Sequence, residues 1–374
     1  MKRSMLLVSV FVLMLTASCF AIGSGIGVRA MGMGGTGIAT ANDITAAYFN
    51  PAGLMYGPEY FELQIAAGYA PQGLTDIQDM ASSTTNFIQD TYAKDLSLDT
   101  SFALGLGLSV RKIGLSGWGT GAVSMSHTAN TFTYSSYLTG LGYAPLTLGS
   151  TFATPGIPIA SMSVGVNLKA ISVLNATASV AQTSPTTGAG SMTLSSGSGF
   201  GFDIGAQTKI TPFINLGAVI RNLSASANIL TKTTNVTVAP DPADPTKAVV
   251  TDGAETETKS TYTPPVEIGI GVGVVVPIIG TLIAVDLENY SLPENNNQNK
   301  STTYTDTHIG IEQGILADIL KLRAGYYTYG PTSDAFYTCG LGLNLGPLSI
   351  GAAVANSTKD ASDSLVSAQL GMAF

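Results

Sequence analysis

Apolar side chains recur at every second position in one segment of this chain after another. Phe102, Leu104, Leu106, Leu108 and Val110 alternate with Gly105, Gly107, Ser109 and Arg111. Phe200, Phe202 and Ile204 alternate with Gly201, Asp203 and Gly205, and Leu348, Ile350, Ala352 and Val354 with Ser349, Gly351 and Ala353. The last ten residues put Val366, Leu370, Met372 and Phe374 on one side. Residues two apart share a face of a strand, so each segment is a strand with one apolar and one glycine-rich or polar face. Each runs to about ten residues, the length of a tilted strand crossing a bilayer. A soluble sandwich would carry charges on its outer face. Only 11% of this chain is charged, and the apolar faces lack charges.

The segment 268–285 has no charge and is long enough for a spanning helix. Gly269, Gly271, Gly273 and Pro277 interrupt it, and Val and Ile dominate. It reads instead as two strands joined near Pro277. Fourteen strands are expected near 60–70, 100–111, 114–127, 145–154, 160–177, 198–209, 213–227, 263–276, 280–290, 304–313, 319–328, 335–345, 347–356 and 364–374. Tight connections alternate with longer polar ones at 71–99, 128–144, 178–197, 228–262 and 291–303. An even strand count with short turns at one end and long loops at the other predicts an all-β, 14-stranded antiparallel transmembrane β-barrel over 59–374. In lipid every backbone polar group must be bonded internally, and a closed barrel achieves this. Glycine on the inward face weakens strands in soluble sheets. Here it predicts room for something packed in the lumen.

Lys2 and Arg3, the apolar run from Met5 to Leu15, and Cys19-Phe20-Ala21 have the layout of a secretory signal peptide, 1–21. The alternatives are an uncleaved anchor, for which the run is short, and a lipoprotein signal ending at Cys19, for which Leu15 is misplaced. With cleavage after Ala21 only Cys339 remains, so no internal disulfide is expected. Residues 22–58 do not alternate. Gly32, Gly34 and Gly37 spell a dinucleotide-binding fingerprint, but no strand precedes it and no βαβ pattern follows. A glycine-rich apolar stretch ending in a rigid Asn50-Pro51 turn fits a compact hatch folded inside a barrel.

This opening, Arg29-Ala-Met-Gly-Met-Gly-Gly running through Asn42-Asp43 to Asn50-Pro51-Ala52-Gly53-Leu54, resembles the FadL/TodX superfamily. These are outer-membrane transporters of long-chain fatty acids and aromatic hydrocarbons, and the same opening occurs in PorV-type and TraF-like relatives. The resemblance implies the outer membrane of a diderm bacterium and passive uptake of hydrophobic compounds. The alternative is a non-transporting barrel that serves as an adaptor for a secretion or conjugation partner. Arg29, Gly34, Gly35, Asn42, Asp43, Asn50, Pro51 and Ala52 would form the hatch and substrate gate. Capture would fall to the loop 71–99, where Thr75 and Gln78 fit a capping box and Ile77, Met80, Phe87, Ile88 and Tyr92 form a loose apolar stripe.

Asp203, Arg221, Glu267, Asp286, Glu288, Glu312, Lys321 and Arg323 fall on the luminal parity. Mixed signs on one face favour cross-strand pairs. The competing role is steering of a substrate carboxylate by Arg221, Lys321, Arg323 or Arg29. An enzyme is not expected: His127 and His308 lack metal-ligand spacing, no nucleophile motif appears, and Asp286 with Glu288 is an unspecific acid pair. No metal or cofactor is expected. Net charge −8 without a basic stripe excludes a nucleic-acid partner.

Overall fold

The structure is a computed structural model that describes residues 26–68, 92–93, 95–110, 112–153, 161–184, 186–244, 246–294, 297–359 and 364–374. The signal-peptide segment 1–21 and most of the expected capture loop, including Thr75, Gln78 and Phe87, lie outside these residues.

Strands fill most of what is described. They are β1 Tyr60–Gly68, β2 Leu96–Val110, β3 Ile113–His127, β4 Tyr134–Ala153, β5 Ser161–Ser184, β6 Thr187–Thr211, β7 Ile214–Pro240 and β8 Ala248–Tyr262. There follow β9 Glu267–Val276, β10 Thr281–Glu294, β11 Asn297–Ile315, β12 Leu320–Tyr329, β13 Asp334–Leu345, β14 Leu348–Ser357 and β15 Leu365–Ala373. All pair antiparallel. Each strand from β1 to β7 pairs with the next, β7 pairs with β9, and β9 to β15 continue the series. β15 returns to β1 with Tyr60 opposite Ala373. These fourteen strands close the ring, and β8 stands outside it, paired among the described residues with β7 alone.

The alternation sorts the two faces as lipid demands. Leu108, Ile204, Ile220, Ile268, Ile270, Leu287, Leu341 and Leu370 are exposed on the outside, while Asp203, Arg221, Asp286 and Glu312 are buried within. Outside the apolar belt the strand assignment read from sequence fails. Segments 128–144, 178–197, 228–262 and 291–303, expected as loops, are largely strand. β7 alone has 27 residues, against the roughly 10 that cross a bilayer. Beyond the belt both faces of a strand meet water or other protein, so the period-two signal fades although the ladder continues. Thr- and Val-rich runs such as Thr231–Val238 still carry strand propensity. Above the belt, Val236, Val238 and Ala248 pack with Val123, Met125, Phe132 and Tyr134, joined by Tyr92, in one buried apolar cluster toward the outer mouth.

Inside the ring lie residues 26–58. They form two short helices, α1 Val28–Gly32 and α2 Ala46–Phe49, then a 3₁₀ helix, Pro51–Tyr56. Asn50 caps the last of these, accepting the Ala52 N–H at 3.1 Å, and Pro51 supplies the fixed φ of its first turn. α1 packs on β12 to β15 and the 3₁₀ helix on β4 to β6. Glycine faces make this approach possible. A β-carbon on Gly205 would collide with Asn50 Oδ1, on Gly165 with the Pro51 backbone, on Gly217 with Ile38 O, and on Gly325 with Gly34 N. The inward glycines therefore form a backbone-to-backbone seat.

Candidate functional site: the luminal segment and the cavity above it

The luminal segment is tied to the wall by polar groups far from it in sequence. Asp286 on β10 accepts the N–H groups of Gly37 and Ile38 at 2.7 and 2.8 Å. Charge-assisted bonds to backbone donors are about twice as strong as neutral ones. Arg29 forks onto Glu312 of β11, Nε to Oε2 at 3.0 Å and Nη2 to Oε1 at 3.1 Å. Arg323 of β12 donates to the same carboxylate at 2.7 Å. The Arg29 Nη1 also donates to Thr40 O and to Asn42 Oδ1, both at 3.1 Å. Asp43 turns inward on its own chain and accepts the Thr45 N–H at 2.9 Å. Gly34 and Gly35 take φ of 67° and 79°, a conformation that disfavours side chains. The Gly34 N–H donates to Thr338 Oγ1 at 2.9 Å, and its carbonyl accepts His308 Nδ1–H at 2.7 Å. Asn50 is fully buried and donates to Ile38 O at 2.8 Å and Ala206 O at 3.0 Å. The carbonyl of Ala52 accepts Ser163 Oγ–H at 2.9 Å.

The eight luminal charges named from parity divide into groups. Glu312 and Arg323 join Arg29, and Asp286 holds Gly37 and Ile38. Arg221 pairs with both Glu267 and Glu288, its guanidinium 5.6 Å from the centre of the Tyr48 ring. Asp203 pairs with Lys169 at 2.6 Å. Lys321 stays apart, pairing with Asp318 in the turn after β11 at 2.7 Å. Sequence reasoning missed Lys169, Asn167, Gln207, Thr338 and the role of His308. Inward parity was the one signal available for them. Glu62, also missed, is fully buried on β1 with neither carboxylate oxygen hydrogen-bonded.

Above the luminal segment is a cavity of about 350 Å³. Its floor is Tyr48 and Phe49 of α2. Its walls carry Trp118, Tyr143, Tyr262, Tyr290, Tyr327, Tyr329 and Phe336 among aliphatic and polar residues, with Arg221, Glu267, Glu288, Asp306 and His308 also on the lining. Tyr327 and Phe336 stack with ring centres 4.5 Å apart. Such walls bury apolar area and keep polar tips for orientation.

One side of the cavity reaches a break in the wall. β8 ends at Tyr262 and β9 begins at Glu267, and both pair with β7. Thr263-Pro264-Pro265-Val266 lies between them, and proline cannot donate to the ladder. Opposite, Asn222 and Ser224 of β7 take φ of 63° and 49°, and the β6–β7 register shifts around Phe202. Asn222 spans the gap, donating to Pro265 O at 2.8 Å and accepting Lys169 Nζ at 2.6 Å. Outward of the pair Glu267–Tyr290, β10 no longer has β9 beside it, and β8 does not take its place. Among the described residues no pairing joins β8 to β10 there, and Tyr262, Pro265, Tyr290 and Leu292 on either side of this unpaired slot line the cavity.

No family model matches the chain, and no curated protein does. Solved structures do. The monoaromatic hydrocarbon channel CymD matches with a TM-score of 0.63 at 13% identity, over 95% of this chain and 99% of that one. The Pseudomonas putida toluene transporter TodX matches with a TM-score of 0.58 at 14% identity, over 93% of this chain and 97% of that one. A Pseudomonas aeruginosa FadL homologue matches with a TM-score of 0.52 at 13% identity, over 96% and 98%. The likeness covers nearly the whole of each chain, so this chain shares the fold of these solved outer-membrane proteins, the one its opening residues resemble.

Proposed function

We propose that this chain is an outer-membrane channel for passive uptake of small hydrophobic compounds, with residues 22–58 as its hatch and 1–21 as a removable signal peptide. The observation that carries this reading is the aromatic cavity lying between the hatch and the apolar cluster at the mouth. A channel and a transporter of aromatic compounds share the fold. A hydrophobic molecule would pass the outer cluster, rest against Tyr48, Trp118 and Phe336, and leave by the slot beside Pro265 or past the hatch. Asn50, Pro51, Ala52, Gly34 and Gly35 seat the hatch against the wall, Arg29 ties it to Glu312, and Asn42 and Asp43 brace it from within.

The same geometry favours uncharged compounds over long-chain fatty acids. Every luminal cation among those named from parity, and Arg29 with them, already has a carboxylate. The adaptor alternative has less support. It calls for an exposed apolar patch, whereas the projecting strand β8 presents mainly Thr, Ser, Asp, Glu and Lys to water.

Thr139 lines the cavity from β4, so Thr139→Trp fills it without touching the hatch anchors. In a host without channels of this kind, the protein should speed uptake of a labelled neutral aromatic hydrocarbon at least tenfold. The Thr139→Trp barrel should assemble and return uptake to background. Uptake no faster than in the empty host would reject the reading.

A further inference from the structure

The charge around the cavity is unbalanced. One guanidinium, Arg221, serves two carboxylates, Glu267 and Glu288. A third carboxylate, Asp306, accepts the Tyr290 O–H at 2.9 Å and the Gly330 N–H at 2.7 Å, both neutral donors. The other cations near the lumen each have a carboxylate of their own: Lys169, 4.7 Å over the Tyr143 ring of the cavity wall, pairs with Asp203, and Arg29 and Arg323 share Glu312, while His308 on the cavity lining gives its Nδ1–H to Gly34 O. The cavity therefore combines excess negative charge with aromatic faces. An anion entering it meets like charge in a water-poor space, where such repulsion is far stronger than in water. A cation meets the opposite field, and ring faces attract cations as well.

We propose that the cavity takes hydrophobic ammonium ions, an aromatic or short alkyl body bearing a protonated amine. This inference rests on the reading of the cavity as the uptake site. The body lies against Tyr48, Trp118 and Phe336, and the ammonium faces Glu288 and Asp306 on the slot side. A charge-assisted bond to either carboxylate adds to ring attraction. The arrangement discriminates three ligands of one shape by charge alone: amine first, hydrocarbon second, carboxylate last.

The chain's single tryptophan, Trp118, lines the cavity and reports occupancy directly. The test is a fluorescence titration of the full-length protein in detergent with phenethylamine, ethylbenzene and phenylacetate at neutral pH. Phenethylamine is expected to bind at least tenfold tighter than ethylbenzene, and phenylacetate to give no saturable change. In Asp306→Asn and in Glu288→Gln, the amine-to-hydrocarbon affinity ratio should fall at least tenfold. Asparagine keeps an acceptor for Gly330, so the comparison is made on a folded barrel. Ethylbenzene binding as tightly as the amine, or a ratio unchanged in both variants, would overturn the charge inference and leave the uptake reading standing. No response to any of the three probes would overturn both.

Discussion

Replacing Gly217 and Gly325 together by valine is expected to open the barrel. Each glycine faces backbone of the luminal segment: a β-carbon at Gly217 would strike Ile38 O, and one at Gly325 would strike Gly34 N. Backbone cannot swing aside as a side-chain tip can. Overpacking costs about 1–3 kcal/mol at each site. Valine suits a strand, so the wall itself should form. The cost falls on the hatch, which must shift or leave. In planar bilayers the wild-type barrel should show little steady conductance and the double variant a large ion-permeable pore. Gly117→Val is the control, since nothing lies within 4 Å of a β-carbon built there. Conductance of the double variant equal to wild type would show that the hatch does not depend on its glycine seat.

Glu312→Ala should release the luminal segment by removing its ionic anchor. One carboxylate serves Arg29 and Arg323, and removing it strands two guanidiniums. Breaking a buried pair from one side costs about 3–5 kcal/mol. Arg29 keeps 23% of its side chain exposed, so the loss should sit at the low end of that range. Glu312→Gln retains acceptors without the charge and should cost about half as much. Limited proteolysis should cut residues 26–58 in the alanine variant while the barrel stays resistant. A hatch as protected as in the wild type would mean that Asp286 and the glycine seat suffice. The two experiments separate steric seating from ionic anchoring.

The sequence revealed what lipid enforces and concealed what only the fold brings together. Ile268, Ile270 and Val272 betray a strand because one face must be apolar and the other has no such demand. Past Tyr290 and Asn228 that pressure ends, and Thr and Ser on both faces read as loop although the ladder runs on. Asn50-Pro51 was legible as a turn because its conformation is local. That Asp286 would hold Gly37 and Ile38 was not, since the partners lie 249 and 248 positions apart. Parity placed Lys321 with the luminal charges, but parity has no depth, and it lies at the rim with Asp318. The wall break at Pro264-Pro265 left two prolines as its only trace.

The ring closes where the two ends of the barrel chain meet, with Tyr60 beside Ala373 and the Phe374 N–H on Glu59 O at 3.1 Å. The luminal segment precedes β1, yet several of its anchors, Asp286, His308, Glu312 and Thr338, come from β10 to β13. Contacts this distant along a chain form slowly. Biosynthesis thus delivers this segment first and the last of its partners only with β13. Residues 26–58 can meet their glycine seat on β5 to β7 earlier, but their anchoring is complete only once β13 has been made, before the β1–β15 seam seals. Assembly of this protein is then a problem of order: a seam that joined too early would shut the hatch out.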